Sequence, residues 1–300
     1  MVKTLTVFTP AFNRAHTLIR TYESLCRQTC QDFEWLIVDD GSTDNTKDLV
    51  YSWIAENKIS IRYIYQENLG MHGAHNTAYR NITTELNTCI DSDDYMPDDA
   101  IGKIVSFWKA KGSEKYAGII GLDAKKSGGI IGQKFPVELK ETTLRGYYED
   151  SHDTGDKKLV YRTDVITKYP EYPLFEGEKY FALAYKYNMV DCDYPLLVSN
   201  EIYVIVDYME DGSSMGMWNQ YWNNPKGFAF FRRFDMMQTK SLKRKWMDNI
   251  HYVSHSIRSK NARFLKESPL KGITFFSIIP GLILYAINSY KVKTGRLYKV

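Results

Sequence analysis

The chain has 300 residues, 44% of them hydrophobic and 25% charged, with a formal net charge of +3. This is an ordinary globular composition, long enough for a sizeable core, and it excludes a fibrous or low-complexity chain. The charge is unevenly placed: residues 240–300 carry 13 Lys+Arg against 2 Asp+Glu, so a tail of +11 follows a body of −8.

Met1-Val2-Lys3-Thr4 runs directly into a short apolar segment, without the long apolar core and small-residue cleavage site of a secretory signal, so a cytosolic protein is expected. The four cysteines, Cys26, Cys30, Cys89 and Cys192, include one CxxxC pair and no second pair or His partner that would suggest zinc. Free thiols in a reducing compartment fit them better.

Over the first third, short β-branched runs alternate with helical patterns, as in a parallel α/β sheet. Residues 5–9 read as a strand that leaves into the loop Pro10-Ala11-Phe12-Asn13-Arg14. Leu18, Tyr22, Leu25 and Cys26 recur at helical spacing, and residues 35–38 read as a buried strand carrying Asp39 and Asp40 at its carboxyl end. Gly41-Ser42-Thr43-Asp44 supplies a turn and a cap for a helix with Leu49, Val50, Trp53 and Ile54 on one face. A third strand is expected at 61–65, a third helix at 70–82 and a fourth strand at 86–90, which delivers Asp91-Ser92-Asp93-Asp94 to the same sheet edge. A helix follows Pro97 to about Trp108, and residues 117–121 close the βα series. From 124 to 240 the pattern is irregular and rich in Tyr, Gly and Pro, as in segments that shape a pocket over a scaffold.

Ligands of open parallel sheets bind outside the carboxyl ends of the strands, so the two acidic groups, at 39–40 and 91–94, can converge on one crevice. Such a cluster repels itself unless a cation is present, and a hard divalent ion bridging two phosphate oxygens supplies one. A metal–diphosphate complex is the most economical occupant. The competing reading is an ordinary turn at 39–42 and a helix-capping run at 91–94, since Asp is common at both.

The ordered segments Thr9-Pro10-Ala11-Phe12-Asn13-Arg14, Ile37-Val38-Asp39-Asp40-Gly41-Ser42-Thr43-Asp44, Glu67-Asn68-Leu69-Gly70 and Asp91-Ser92-Asp93-Asp94 resemble the motifs of inverting family 2 glycosyltransferases of bacterial cell-surface polysaccharide and glycolipid synthesis. The resemblance covers roughly residues 1–110 and implies a GT-A fold, a mostly parallel Rossmann-like α/β sheet flanked by helices. It implies Pro10, Phe12, Asn13, Arg14 and Asp39 as nucleoside contacts, and Asn68, Gly70, His72 and Asn76 as donor-site lining. Asp91, Ser92, Asp93 and Asp94 correspond to the DxD motif, with Asp93 the foremost ligand of Mn2+ or Mg2+ beside Asp91 and Asp94. The donor implied is a nucleotide-diphospho-sugar, UDP-linked first, and the acceptor a hydroxyl of a cell-surface or lipid-linked glycan. Residues 152–161 and Phe175-Glu176-Gly177-Glu178-Lys179-Tyr180 resemble a subgroup whose acceptor-activating carboxylate falls here, on Glu178 or Glu176. Relatives often have Glu-Asp where this chain has Glu178-Lys179. For Glu178 the rival role is to begin a helix.

The expected organisation is a catalytic domain at 1–239, with a donor half at 1–110 and an acceptor half at 111–239, and a basic helical region at 240–300. Ile273 to Ile287 is a 15-residue stretch without charge, interrupted by Pro280-Gly281 and short of the ~20 apolar residues a spanning helix needs. Lys266, Lys271, Lys291, Lys293, Arg296 and Lys299 flank it, which fits residues 266–300 lying on the inner face of the cell membrane. A buried helix packed on the catalytic domain is the alternative. Nucleic-acid binding lacks any accompanying RRM, KH or helix-turn-helix signature, and a homo-oligomer is left open. A sugar-nucleotide pyrophosphorylase lacks its Gly-rich loop here, a haloacid dehalogenase phosphatase meets Tyr95 at the fifth place of its motif, and a dinucleotide oxidoreductase lacks GxGxxG. A degenerate family member that binds nucleotide sugar or scaffolds an assembly complex is the non-enzymatic alternative.

Overall fold

Leu, Val, Ile, Phe and Trp supply eight of the fourteen residues of the first two strands, and their buried side chains seed the sheet. A computed structural model describes residues 3–207 and 217–294. In chain order it begins with β1 (Leu5–Ala11), α1 (Ala15–Cys26), β2 (Phe33–Asp39), α2 (Thr46–Glu56), β3 (Ile61–Tyr65), α3 (Met71–Asn81) and β4 (Leu86–Cys89). There follow α4 (Ala100–Lys111), β5 (Gly118–Lys125), β6 (Glu141–Thr142), α5 (Leu144–Ser151), β7 (Lys157–Arg162), α6 (Thr163–Ile166), α7 (Ala184–Val190) and β8 (Leu196–Val206). The remainder is helical: α8 (Met217–Asn223), α9 (Pro225–Gln238), α10 (Leu242–Arg258), α11 (Phe264–Glu267), α12 (Lys271–Phe276) and α13 (Ile278–Lys293).

The chain forms two compact units, Met1–Tyr172 with Lys186–Met209, and Pro173–Tyr185 with Glu210–Val300. The boundary therefore differs from a split at 239. The second unit takes in α9, which packs on α10, and the 173–185 segment, whose Tyr185 meets Phe230 and Phe234 edge-on at 5.6 and 4.8 Å.

The sheet of the first unit has the order β3-β2-β1-β4-β7-β5-β8-β6. Its first four strands are parallel, as expected. The series does not continue into β5: β7 lies between β4 and β5, antiparallel to both, and the sheet is mixed. Gly118, at φ +151°, permits this insertion, because a Cβ there would stand 1.9 Å from the Val160 carbonyl oxygen of β7. The core over β2 is an aromatic stack of Tyr22, Trp53 and Trp35, with Tyr22 and Trp53 ring centroids 4.3 Å apart. Stacks of this kind add about 0.5–1.5 kcal/mol per pair beyond area burial.

Strand pairing also opens the crevice. β1 stays with β2 through Ala11↔Asp39, but its pairing with β4 ends at Phe8↔Cys89. The chain winds outward from β1 to β2 and β3 on one side and to β4 on the other, which makes the gap between β1 and β4 the switch point where ligands of such sheets bind.

In the second unit α13 rests on α10. Gly281 makes the approach possible, since a Cβ there would lie 2.6 Å from the Val253 Cβ. Pro280 is the third residue of α13, where a helix has no use for its missing N–H, so Pro280-Gly281 begins a helix instead of breaking one. The interruption falls at Ser277, between α12 and α13. Arg296 and Lys299 lie outside the described residues.

Candidate active site

Two loops leave β1 and β2 side by side and are tied together by Asn13. It stands at φ +54°, a left-handed conformation Asn tolerates better than most residues. Its Oδ1 accepts the amide of Thr43 at 2.8 Å, while its own amide donates to Ser42 Oγ at 2.8 Å. Asp44 accepts the amides of Ala15 and Thr46, joining α1 to α2 at the same point. Pro10 and Arg14 are partly buried on this rim and Phe12 is 47% exposed, so an aromatic face is open to a planar ligand.

The two aspartates ending β2 divide the work. Asp39 is fully buried, accepting from the Ser42 amide at 2.8 Å and from the Tyr63 hydroxyl at 2.5 Å. Burial and this carboxylate push the Tyr63 phenol well above its usual range, so it stays a donor. Asp40 accepts from the Leu69 and Gly70 amides, both at 2.8 Å, and from Gln66 Nε2 at 2.6 Å, which fixes the segment containing Asn68 and Gly70. Gly70 has φ +81°, and the Cβ space of Gly41 is taken by the Asn68 amide at 2.9 Å.

Asp91-Ser92-Asp93-Asp94 turns immediately beyond β4, with the Asp94 amide donating to the Asp91 carbonyl. The turn is stapled on three sides: Thr21 Oγ1 donates to the Asp94 carbonyl, Ser24 Oγ accepts the Met96 amide, and the backbones of Tyr95 and Ile205 exchange hydrogen bonds. Asp91 is exposed, Asp93 partly buried, and Ser92 and Asp94 buried. Asp94 Oδ1 accepts the Asp207 amide at 3.1 Å. Burial, then the charge of Asp91, raises Asp93 above the usual carboxylate range and pushes Asp94 up to about 7.

These shifts fit a bound cation, because a positive charge at the turn relieves both the burial and the mutual repulsion. Among the described residues no group of three or more His, Cys, Asp and Glu side chains forms a cage of its own. A metal held by Asp91 and Asp93 would draw further oxygens from its ligand, as a diphosphate provides.

Two expected lining residues are placed differently. Asn76 is 2% exposed, and both ends of its amide are taken by the Tyr172 backbone, donating to the carbonyl at 2.9 Å and accepting from the amide at 2.8 Å. It clamps α3 to the 172 segment and has no free face for a ligand. His72 is 1% exposed within α3, beside His75, whose imidazole burial lowers to about 3.

In the second unit Glu178 is buried and Glu176 exposed. Glu178 Oε1 and Oε2 accept the amides of Lys226 and Gly227, each at 2.8 Å, at the start of α9. Pro225 ahead of them has no N–H, so the carboxylate takes the first two free donors of the helix and faces its positive end. Asn224 Oδ1 reciprocates, accepting the amides of Lys179 and Tyr180. Glu178 thus does cap a helix, though not one it begins.

The structure adds two residues that the motifs did not indicate. Lys158 on β7 donates to the Cys89 carbonyl at 3.1 Å, and although burial works against its charge, Asp123 and Asp91 hold it firmly protonated. Asp123 on β5 is 3% exposed, and burial pushes it up to about 6. Lys158 falls within the 152–161 stretch whose resemblance assigned it no role, and its further signal is the alternation of β7, which sends Lys157 into the buried ion pair with Asp153 and Lys158 to the other face.

A mixed sheet flanked by helices, with an acidic turn at the switch point between β1 and β4, defines an open α/β protein with a ligand crevice at that edge. Residues 6–168 match the model of glycosyl transferase family 2, and the chain belongs to that family. The validoxylamine A glucosyltransferase of Streptomyces hygroscopicus subsp. jinggangensis is 48% identical over 71 residues, 23% of this chain and 16% of that protein. The chondroitin synthase of Escherichia coli is 37% identical over 100 residues, 33% of this chain and 14% of that protein. The matched stretch is thus about a sixth or less of either relative's length. Among solved structures, S. aureus TarS 1–349 in complex with UDP-GlcNAc superposes with a TM-score of 0.60 over 97% of this chain and 92% of that one, at 16% identity. A Pyrobaculum calidifontis mannosyltransferase in complex with GDP-Man and Mn2+ does so with a TM-score of 0.55 over 98% and 79%, also at 16%. The fold is GT-A, as the motifs imply.

Proposed function

We propose that the protein transfers a sugar from a nucleotide-diphospho-sugar, UDP-linked in the first instance, to a hydroxyl of a cell-surface or lipid-linked glycan with inversion. The observation that carries this reading is the acidic turn at 91–94, held rigidly where β1 and β4 part. The complexes of the fold neighbours with UDP-GlcNAc and with GDP-Man and Mn2+ support it.

In this reading Phe12, Pro10, Asn13 and Arg14 take the nucleoside. Asp39 acts from beneath them, through the Tyr63 hydroxyl and the loop it holds. Asp91 and Asp93 hold Mn2+ or Mg2+ with the diphosphate, while Asp94 fixes the turn. The ion, when bound, supplies positive charge against the departing diphosphate. An acceptor hydroxyl is a poor nucleophile at neutral pH, so a carboxylate must remove its proton, and Glu178 is the candidate. Attack of the deprotonated hydroxyl on the anomeric carbon, with the nucleoside diphosphate leaving in the same step, is a single displacement and inverts that carbon. Incubating the protein with Mn2+, a UDP-sugar and extracted glycolipid should release UDP and form the opposite anomer; a product of retained configuration would contradict the mechanism.

We further propose that the second unit rests on the inner face of the cell membrane. No helix among the described residues is long and apolar enough to cross a bilayer. Phe275, Phe276, Ile279, Leu282, Ile283 and Ile287 are 46–77% exposed along α12 and α13, at the spacing of one helix face, with Lys266, Lys271 and Lys293 exposed nearby. Because α13 covers α10, deleting the tail would strip a packed face; point changes on the outer face are the better test. Phe276→Ser with Ile279→Ser and Ile283→Ser should release the protein from phosphatidylglycerol vesicles with an unchanged melting temperature. Equal flotation of variant and wild type would contradict this placement.

A further inference from the structure

We propose that Asp123 and Lys158 hold the glycosyl group of the donor and select a neutral, hydroxylated sugar over a uronic acid; the inference rests on the nucleotide-sugar reading above. The β5–β7 register sets Lys158 opposite Gly121, so Asp123, two residues further along β5, shares its face of the sheet. Lys158 is anchored to the carbonyl of Cys89, the last residue of β4, and its ammonium is under the combined field of Asp123, Asp91 and Asp94. Asp123 is 3% exposed, yet its Oδ1 has no hydrogen-bond partner in the protein. A buried carboxylate oxygen left unbonded is costly and rare.

An unsatisfied acceptor beside a fixed donor matches two neighbouring hydroxyls of a pyranose. One O–H donates to Asp123, and the oxygen of the next accepts from Lys158. A phosphate would gain from Lys158 but be repelled by the Asp123 carboxylate, whose free oxygen is an acceptor with no hydrogen to offer it. The same repulsion acts against the carboxylate of a uronic acid, whereas a neutral polyol uses both groups.

The test is calorimetric titration, in the presence of Mn2+, of wild type, Asp123→Asn and Lys158→Met with UDP, UDP-glucose, UDP-GlcNAc, UDP-glucuronate, GDP and GDP-mannose. Wild type should bind at least one neutral nucleotide sugar about tenfold or more above its diphosphate, while UDP-glucuronate gains nothing over UDP. Both variants should keep diphosphate affinity within about twofold of wild type and lose the sugar's tenfold. If they keep the sugar's contribution, the assignment is overturned; if diphosphate affinity falls equally, the two residues only brace the acidic turn, and it is overturned as well. Wild type that binds no diphosphate at all would instead defeat the nucleotide-sugar reading, and this inference with it. Should either variant misfold, monodeoxy donors on the wild type decide: deletion of the contacted hydroxyl must cost affinity, and indifference to every deletion overturns the proposal.

Discussion

Asp93→Asn and Asp91→Asn should each reduce sugar transfer by about 10²–10³-fold or more, the scale on which losing a preorganised charge at a developing anion is felt. Asn keeps the size and one oxygen of Asp but not the charge that a diphosphate and its cation need. The fold should survive, because the staples of the turn are made by Thr21, Ser24, the Tyr95 backbone and Asp94, not by the side chains at 91 and 93. Removing one carboxylate also relieves repulsion in the cluster, so the melting temperature of the ligand-free variants should be equal or higher. Turnover assays with thermal melts check both halves. Wild-type turnover in either variant removes the metal from its proposed seat.

Glu178→Gln is the second large effect, expected at about 10²–10⁴-fold on transfer if the carboxylate is the general base. The structure complicates the simple version of this experiment. Both carboxylate oxygens accept amides of α9, and Gln offers one oxygen and an NH2 that would face a donor. A stability loss of about 1–3 kcal/mol should accompany the substitution whatever the chemistry. Comparing nucleotide-sugar affinity, melting temperature and turnover separates the roles. A base loses turnover in the folded enzyme and keeps donor affinity; a cap alone lowers the melting temperature and leaves turnover of the folded fraction intact. Glu176→Gln should be silent, since that side chain is exposed and caps nothing. Loss of transfer in Glu176→Gln with normal transfer in Glu178→Gln would move the base two residues back.

The first 110 residues were legible because their signals are local. Four strands, the loops leaving them and the Asp pairs at their ends lie within a few residues of one another, and the parallel order follows from the helices between them. What decided the rest was long-range. Nothing near Gly118 announces that β7, some forty residues on, will insert beside it, because the reason is a backbone approach that only Gly allows. Asn76 reads like site lining until the Tyr172 backbone, 96 residues away, takes both ends of its amide. Lys158 is one lysine of a pair on a strand, and only pairing in space puts it under the acidic turn. Pro280-Gly281 reads as a helix breaker by composition, whereas the position of Pro in the first turn and the contact of Gly281 with Val253 make it a helix start against a packed neighbour.

The most direct measurement of the central claim is a calorimetric titration of the full chain with UDP and with GDP, in the presence of Mn2+ and again after its removal by chelation. Binding should be saturable, with one nucleotide per chain, weaken by about tenfold or more without the cation, and be lost to the same extent in Asp93→Asn. Nucleotide affinity that is indifferent both to Mn2+ and to Asp93→Asn would contradict the account.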